Sequence, residues 1–211
     1  MIFGGSPLAR GARAALWLLA AACASAAVAA ETNDPVTNDP VAWDVQRLMR
    51  ELGQVKTANA RFLERRHLAL LTAPLESSGN LVYVAPDRLE KHTLRPRPES
   101  LVLERNELTV ESKERNQRRT LVLQDHPVIW AFVESIRSTL AGDLPTLSRF
   151  YQVGLDGGER RWRLTLKPNE PRMQDVVSEI RISGDRSWIN AIEMIETGGD
   201  RSLMTITRDG P

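Results

Sequence analysis

Histidine, cysteine and carboxylate side chains are the residues of this sequence that could hold a metal ion or carry out catalysis. The three histidines, His67, His92 and His126, are far apart in the chain and belong to no H-E-x-x-H pattern. Paired cysteines of a zinc site are also missing, because Cys23 is the only cysteine. We therefore predict that the protein has no metal site.

Serine, glycine and aspartate occur where turns are expected. The Ser77-Ser78 pair precedes a glycine outside any G-x-S-x-G pattern, and we predict a turn over residues 77–80. The segment GLDGGE (154–159) leads into a predicted strand, whereas a phosphate-binding loop leads into a helix. Asp143 and Asp200 each follow a glycine, as residues of turns and helix ends do. We predict no catalytic residue and no cofactor, so that the protein is not an enzyme.

The charges of the chain are nearly balanced. Lys and Arg number 28 and Asp and Glu number 27, which gives a net charge of +1. The basic residues are scattered, whereas a nucleic-acid-binding protein presents them on one face. We therefore predict no nucleic-acid partner. The length of 211 residues and the 42% hydrophobic content are typical of one globular domain with a sizeable core.

Residues 1–30 have the pattern of a secretory signal peptide that is cleaved. Arg10 and Arg13 supply the positive start, residues 14–23 are apolar, and an A-x-A cleavage site ends at Ala29. The mature protein is therefore expected to be exported. Residues 31–41 contain a tandem Asn-Asp-Pro repeat, which is typical of a flexible spacer.

Cys23 lies within the predicted signal peptide and has two interpretations. Cleavage after the A-x-A site removes it, and the mature chain then has no cysteine and depends on its apolar core for stability. Alternatively, the stretch LAAAC is a lipid attachment site, although that motif expects a large aliphatic residue where Ala20 stands. No later stretch approaches 18 consecutive apolar residues, so we expect no transmembrane helix.

Residues 42–211 are predicted to form a single domain. Apolar residues recur every three or four positions over 42–60, which predicts a first helix followed by a strand from Arg61. A second helix is predicted over 126–143, with a short helical turn over 144–150.

Alternating apolar and polar residues predict antiparallel strands joined by short turns, one of them at Gly184-Asp185. The predicted strands cover residues 61–71, 80–84, 88–94, 100–105, 107–112, 117–124, 150–155, 160–167, 177–183, 187–198 and 200–208. A sheet of about ten strands curls strongly. We predict an α+β fold in which this sheet forms an unclosed half-barrel and helices cover its concave apolar face. Such a fold is a container.

The order of these elements resembles the outer-membrane lipoprotein carrier family, the LolA-like periplasmic carriers. The resemblance covers about residues 42–208, and the matching positions are Phe62 in the first strand and then Gly79, Leu81, Tyr83, Pro86 and Leu89 in a G-x-L-x-Y-x-x-P-x-x-L strand pair. The sequence departs from the family at Ala85, because carriers usually have an arginine there that helps to hold a helical lid. At the next hairpin, residues 105–108 replace the usual Asp-Gly turn.

The resemblance implies a monomeric carrier in the periplasm of a Gram-negative bacterium. Its cargo would be the acyl chains of a lipoprotein, or another lipid, and its partners would be an inner-membrane release protein and an outer-membrane receptor. The cavity and lid residues expected to bind lipid are Phe62, Leu81, Tyr83, Leu103, Trp130, Phe132, Ile136, Leu140, Leu144, Trp162, Leu164 and Ile192. The alternative is a non-enzymatic lipid-binding or adaptor protein that is tethered to a membrane through Cys23.

Overall fold

The structure is a computed structural model that describes residues 43–209. The predicted signal peptide and spacer lie outside the described residues. Four helices are present, α1 (Val45–Gly53), α2 (Pro127–Ala141), α3 (Leu144–Phe150) and α4 (Pro171–Gln174), with a 3-10 turn at Leu123–Asp125 before α2. Over residues 43–209, no helix is both long enough and apolar enough to cross a bilayer.

Eleven strands form one antiparallel sheet. They are β1 (Thr57–His67), β2 (Leu75–Val84), β3 (Arg88–Arg95), β4 (Glu99–Glu104), β5 (Glu107–Ser112), β6 (Gln117–Val122), β7 (Tyr151–Gly158), β8 (Arg161–Pro168), β9 (Val177–Asp185), β10 (Trp188–Glu196) and β11 (Arg201–Arg208).

The strand order is β6-β5-β4-β3-β2-β1-β11-β10-β9-β8-β7. Strands that follow one another in the chain are neighbours within each half, and β1 pairs with β11 to join the two halves. The sheet does not close, because β6 and β7 are its two edges. The predicted fold class, an α+β fold with a curved and unclosed antiparallel sheet, is confirmed.

The first helix is shorter than predicted. It begins after Asp44, whose carboxylate accepts a backbone N–H of the first turn at 2.7 Å, and it ends at Gly53. Strand β1 begins at Thr57, whereas we predicted it from Arg61. The reason is that alternate residues are already turned toward the core there, with Ala60 buried.

The turn predicted over residues 77–80 is wrong, because these residues lie within β2. Pairing of β2 with β1 and β3 on either side overrides the turn preference of the Ser-Ser-Gly-Asn sequence. Position 79 requires glycine because neighbouring atoms leave no room for a side chain. A Cβ atom there would lie 1.9 Å from the His92 carbonyl oxygen and 3.0 Å from the Phe62 ring.

The hairpin turn between β9 and β10 lies two residues later than predicted. Asp185 pairs with Trp188, so the turn residues are Arg186 and Ser187, and Arg186 has a positive φ of 51°. Gly184 remains in the strand. It has no side chain because a Cβ atom would lie 2.3 Å from the Trp162 ring.

The core lies between the sheet and the helices. Alternate residues of β8, including Trp162, Leu164 and Leu166, are fully buried, and Leu48 and Leu52 of α1 pack into the same cluster. A second, smaller cluster comprises Leu103, Leu108, Leu123 and Val133.

The close contact of Gly184 with Trp162 gives a test of this packing. We expect Gly184→Ala to lower the free energy of unfolding by about 1–3 kcal/mol, because the added methyl group overpacks the core. Urea unfolding measures the change. Gly158→Ala is the matched control, since a Cβ atom at Gly158 would meet no atom within 4 Å. Equal effects of the two substitutions would contradict the packing.

Candidate functional site

A cavity of about 430 Å³ lies between the concave face of the sheet and the helices α1 and α2. Its floor is formed by β1–β5 and β9–β11, and α2 forms most of its roof. Ligand sites for small molecules have volumes of about 300–1,000 Å³ and mostly apolar walls. The size of the cavity is therefore that of a binding site.

The walls are mainly apolar and include seven of the residues that we predicted to bind lipid. The sheet contributes four of them and α2 contributes three: Leu81, Tyr83, Leu103, Ile192, Phe132, Ile136 and Leu140. The structure thus brings these side chains together around one space. Contact with a lipid stays a prediction.

Four predicted residues lie elsewhere in the fold. Trp162 and Leu164 are fully buried core residues, and the Trp162 indole donates to the Arg186 carbonyl oxygen at 2.8 Å. Trp130 packs edge-on against Phe150, with ring centroids 5.6 Å apart, and against the smaller core cluster. Leu144 lines a separate open groove between α1, α3 and β7.

Phe62 lies on the concave face between two residues that line the cavity, Ala60 and Glu64, but it does not line the cavity itself. The Lys91 ammonium lies over the Phe62 ring, 4.9 Å from its centroid, and covers it. The ring is 3% exposed. Phe62 therefore packs beside the cavity, where Lys91 covers its ring.

Hydrogen bonds hold α2 over the sheet. The Tyr151 hydroxyl donates to the Ala131 carbonyl oxygen at 3.0 Å, and the Arg137 guanidinium donates to the Arg105 carbonyl oxygen in the β4–β5 turn at 3.1 Å. Burial raises the pKa of Tyr151 to about 12, against a smaller opposing effect of its hydrogen bond with Ser135, so the hydroxyl stays a donor. An arginine of α2 itself thus ties the helix to the sheet in a chain that has Ala85 where carriers usually have an arginine.

Polar side chains line one end of the cavity, and sequence analysis missed them. The Glu64 carboxylate accepts hydrogen bonds from Lys91 at 2.5 Å, from Ser202 at 2.8 Å and from Ser77 at 3.3 Å. Arg66 is also in the wall. The alternation of β1, extended from Ala60 through Phe62, places Glu64 and Arg66 on the concave face and could have identified them.

The charge of Glu64 is stabilised by its partners. Burial alone would raise the pKa of this carboxyl, but the Lys91 ammonium and the hydrogen bonds from Lys91, Ser202 and Ser77 outweigh it, and the pKa lies below its usual value. Glu64 is therefore ionised at neutral pH.

The Tyr83 hydroxyl is buried and has no hydrogen-bond partner among residues 43–209. Burial and the nearby Asp87 charge raise its pKa, so it stays protonated. Its hydroxyl is a further polar group of a wall residue that sequence analysis treated as apolar.

Among the histidines, His92 has two polar partners on the face of the sheet opposite Lys91. Its ring nitrogens lie 2.9 Å from the Ser100 hydroxyl and 2.7 Å from the Glu90 carboxylate. Ser100 lies within β4, between β3 and β5, where neighbouring backbone N–H groups belong to the sheet ladder. Catalysis by Ser100 with His92 and Glu90 would require an oxyanion hole, and therefore free backbone N–H groups near Ser100. Because these groups belong to the sheet ladder, we interpret the three side chains as a cross-strand polar network.

The sequence matches the family model described as "Outer membrane lipoprotein carrier protein LolA-like" over residues 37–207. The chain belongs to this family. LolA-like proteins generally bind lipids or lipoproteins as carriers. None of the curated proteins matches this sequence.

Solved structures with a similar fold include the LolA superfamily protein NE2245 from Nitrosomonas europaea. It is 10% identical, with a TM-score of 0.43, and the match covers 79% of this chain and 94% of that one. The Pseudomonas aeruginosa MucA/MucB complex is 14% identical, with a TM-score of 0.43, and the match covers 78% of this chain and 56% of that one.

The environment of Glu64 predicts how stability depends on pH. Because the pKa of Glu64 is lower in the folded protein than its usual value, ionised Glu64 stabilises the fold at neutral pH, and this stabilisation is lost as the pH falls through the folded-state pKa. The difference in free energy of unfolding between the native protein and Glu64→Gln should therefore shrink as the pH is lowered from 7 to about 3. Urea unfolding across this range measures it. A difference that stays constant with pH would contradict the assignment, and Glu114→Gln, in an exposed turn, controls for the loss of one carboxylate.

Proposed function

We propose that this protein is a periplasmic carrier that shields the acyl chains of a lipoprotein, or of another lipid, during transport to the outer membrane. The observation that carries the proposal is the apolar cavity of about 430 Å³ between α2 and the sheet in a LolA-like chain. The proposed partners are an inner-membrane protein that releases the cargo and an outer-membrane protein that receives it. We propose that the carrier acts as a monomer.

The hydrophobic effect explains why such a cargo needs a carrier. Each methylene group exposed to water costs about 0.8 kcal/mol, so a long acyl chain does not leave a membrane unaided at a useful rate. Transfer from the bilayer to an apolar cavity exchanges one apolar environment for another. The net free energy of loading is then small, and cargo can be both accepted and released.

The connectivity of α2 supports its role as a movable wall. The segment from the 3-10 turn through α2 and α3 links β6 to β7, which are the two edges of the sheet. Moving α2 therefore breaks no strand pairing. Its contacts with the sheet are side-chain packing and single hydrogen bonds, including those of Tyr151 and Arg137. Cargo that contacts the cavity only when α2 is displaced would shift the equilibrium toward the open state.

Lipid retention tests the proposal. We expect native mass spectrometry of the protein isolated from the periplasm to show a lipid adduct, and we expect Leu140→Glu to remove most of it. Leu140 lines the cavity from α2, and a carboxylate there would have to be desolvated by an acyl chain.

The matched control is Ile129→Glu, which places the same charge on the same helix. Ile129 is 36% exposed and is not part of the cavity wall. The adduct should persist in this variant. If the native protein carries no lipid, or if folded Leu140→Glu retains as much as Ile129→Glu, the proposed cavity is not the cargo site.

A further inference from the structure

Three of the four charged residues that line the cavity, Glu64, Lys91 and Arg66, lie at one end of it, and the fourth is Glu90. Glu64 and Arg66 are the last inward-facing residues of β1, and Arg66 pairs across the sheet with Ser202 of β11. Lys91 reaches Glu64 from β3. The remaining walls, toward α2 and α1, are mostly aliphatic and aromatic, and they include Thr139, Ser187 and the Tyr83 hydroxyl as polar groups. The cavity thus has the polarity of an amphiphile, with one polar end and one apolar body.

Hydrogen-bond capacity at the polar end is left over on the cations. The two Glu64 oxygens accept three hydrogen bonds, from Lys91, Ser202 and Ser77. The Lys91 ammonium has three donors, and among the described residues only Glu64 accepts one of them. The Lys91 side chain is 27% exposed, so a ligand can reach the remaining donors.

Arg66 adds a second cation with unused donors. Its guanidinium lies 4.0 Å from the Glu196 carboxylate, which is longer than a hydrogen bond. Both cations therefore present N–H groups, whereas the Glu64 carboxylate is already occupied. The excess of donors favours a ligand group that only accepts hydrogen bonds.

A partly buried charged pair is unusual in the wall of a cavity for hydrocarbon alone. Partial removal of Glu64 and Lys91 from water costs free energy, and replacing a buried ion pair by apolar residues of similar volume is often neutral or stabilising. The pair also limits the space open to acyl chains. Its presence in the wall is explained if a charged group of the ligand interacts with it.

We propose that Lys91 and Arg66 bind the oxyanion headgroup of an amphiphile, a carboxylate or a phosphate, while its acyl chain lies between α2 and the sheet. The inference rests on the proposed carrier function and specifies its cargo as an anionic lipid held in one orientation. Lys91 is a specificity residue in this scheme, because it separates charged from neutral cargo of equal chain length.

The experiment compares three probes that share a sixteen-carbon chain: palmitic acid, palmitoyl lysophosphatidic acid and hexadecanol. Each is titrated against a fluorescent hydrocarbon bound to the full-length mature protein. We expect the affinity of at least one anionic probe, measured by displacement of the hydrocarbon, to be about tenfold higher than that of hexadecanol. The reason is that the anionic probe gains a charge-assisted hydrogen bond. Tight binding of palmitic acid alone assigns a fatty-acid carboxylate, and tight binding of the lysophosphatidic acid alone assigns a phospholipid phosphate.

Substitutions at the polar end then assign the preference to Lys91. Lys91→Met should reduce the ratio of anionic to neutral affinity to about one. This change leaves the Glu64 carboxylate without its cationic partner. The double variant Glu64→Gln/Lys91→Met removes both charges, and its ratio of anionic to neutral affinity should also be about one. Glu64→Gln alone releases Lys91 from its carboxylate and should raise the ratio above that of the native protein. Lys167→Met removes an exposed cation on the outer face of β8 and should leave the ratio unchanged.

Two results would overturn the inference while leaving the carrier function intact. One is equal affinity of the native protein for hexadecanol and for both anionic probes. The other is an anionic preference that persists in Lys91→Met and in the double variant. If none of the probes displaces the hydrocarbon and the hydrocarbon itself does not bind, both the headgroup site and the carrier function fail.

Discussion

Antiparallel pairing of β1 with β11 is the constraint on which the rest of the structure depends. It joins the strands β1–β6 to the strands β7–β11, so that eleven strands form one surface. Twist accumulated over so many strands curves the sheet. The residues nearest this junction, including Ala60, Ile206 and Met204, lie in the floor of the cavity. Without the junction, each half would be a smaller, flatter sheet with no enclosed space.

The same topology separates the pairing that holds the sheet from the helix that covers the proposed cargo site. The pairing ladder and the core around Trp162 and Leu164 hold the sheet, whereas α2 lies in a connection between the two edge strands. A helix attached in this way can move without loss of sheet hydrogen bonds. Its side chains Phe132, Ile136 and Leu140 line the cavity, and in the proposed carrier cargo would replace their contacts. A half-barrel held by strand pairing and a helix held by side-chain contacts suit the repeated loading and release that we propose.

Periodicity was a reliable guide to the elements and a weaker guide to the site. Alternation correctly predicted the strand class of segments such as 107–112, and α2 could be predicted from its apolar repeat. Local signals failed where long-range pairing decides the structure, as in the Ser-Ser-Gly-Asn stretch of β2, whose neighbours on β1 and β3 are distant in sequence. Apolar character identified seven cavity residues but could not separate them from core residues such as Trp162. The reason is that the cavity wall and the core are built from the same types of apolar side chain. Glu64 and Lys91 were missed because charged residues on strands are usually solvated, and only the register places them together.

The central claim is that an acyl chain occupies the space between α2 and the concave face of the sheet. Methyl-labelled NMR spectra recorded during titration with a spin-labelled fatty acid test it directly. With the nitroxide near the end of the chain, the account predicts that methyl signals of Ile136, Leu140 and Ile192 broaden, while that of Val122, which is exposed on the edge strand β6, does not. Broadening confined to exposed residues outside the cavity, with the methyl signals of Ile136 and Leu140 unaffected, would contradict it.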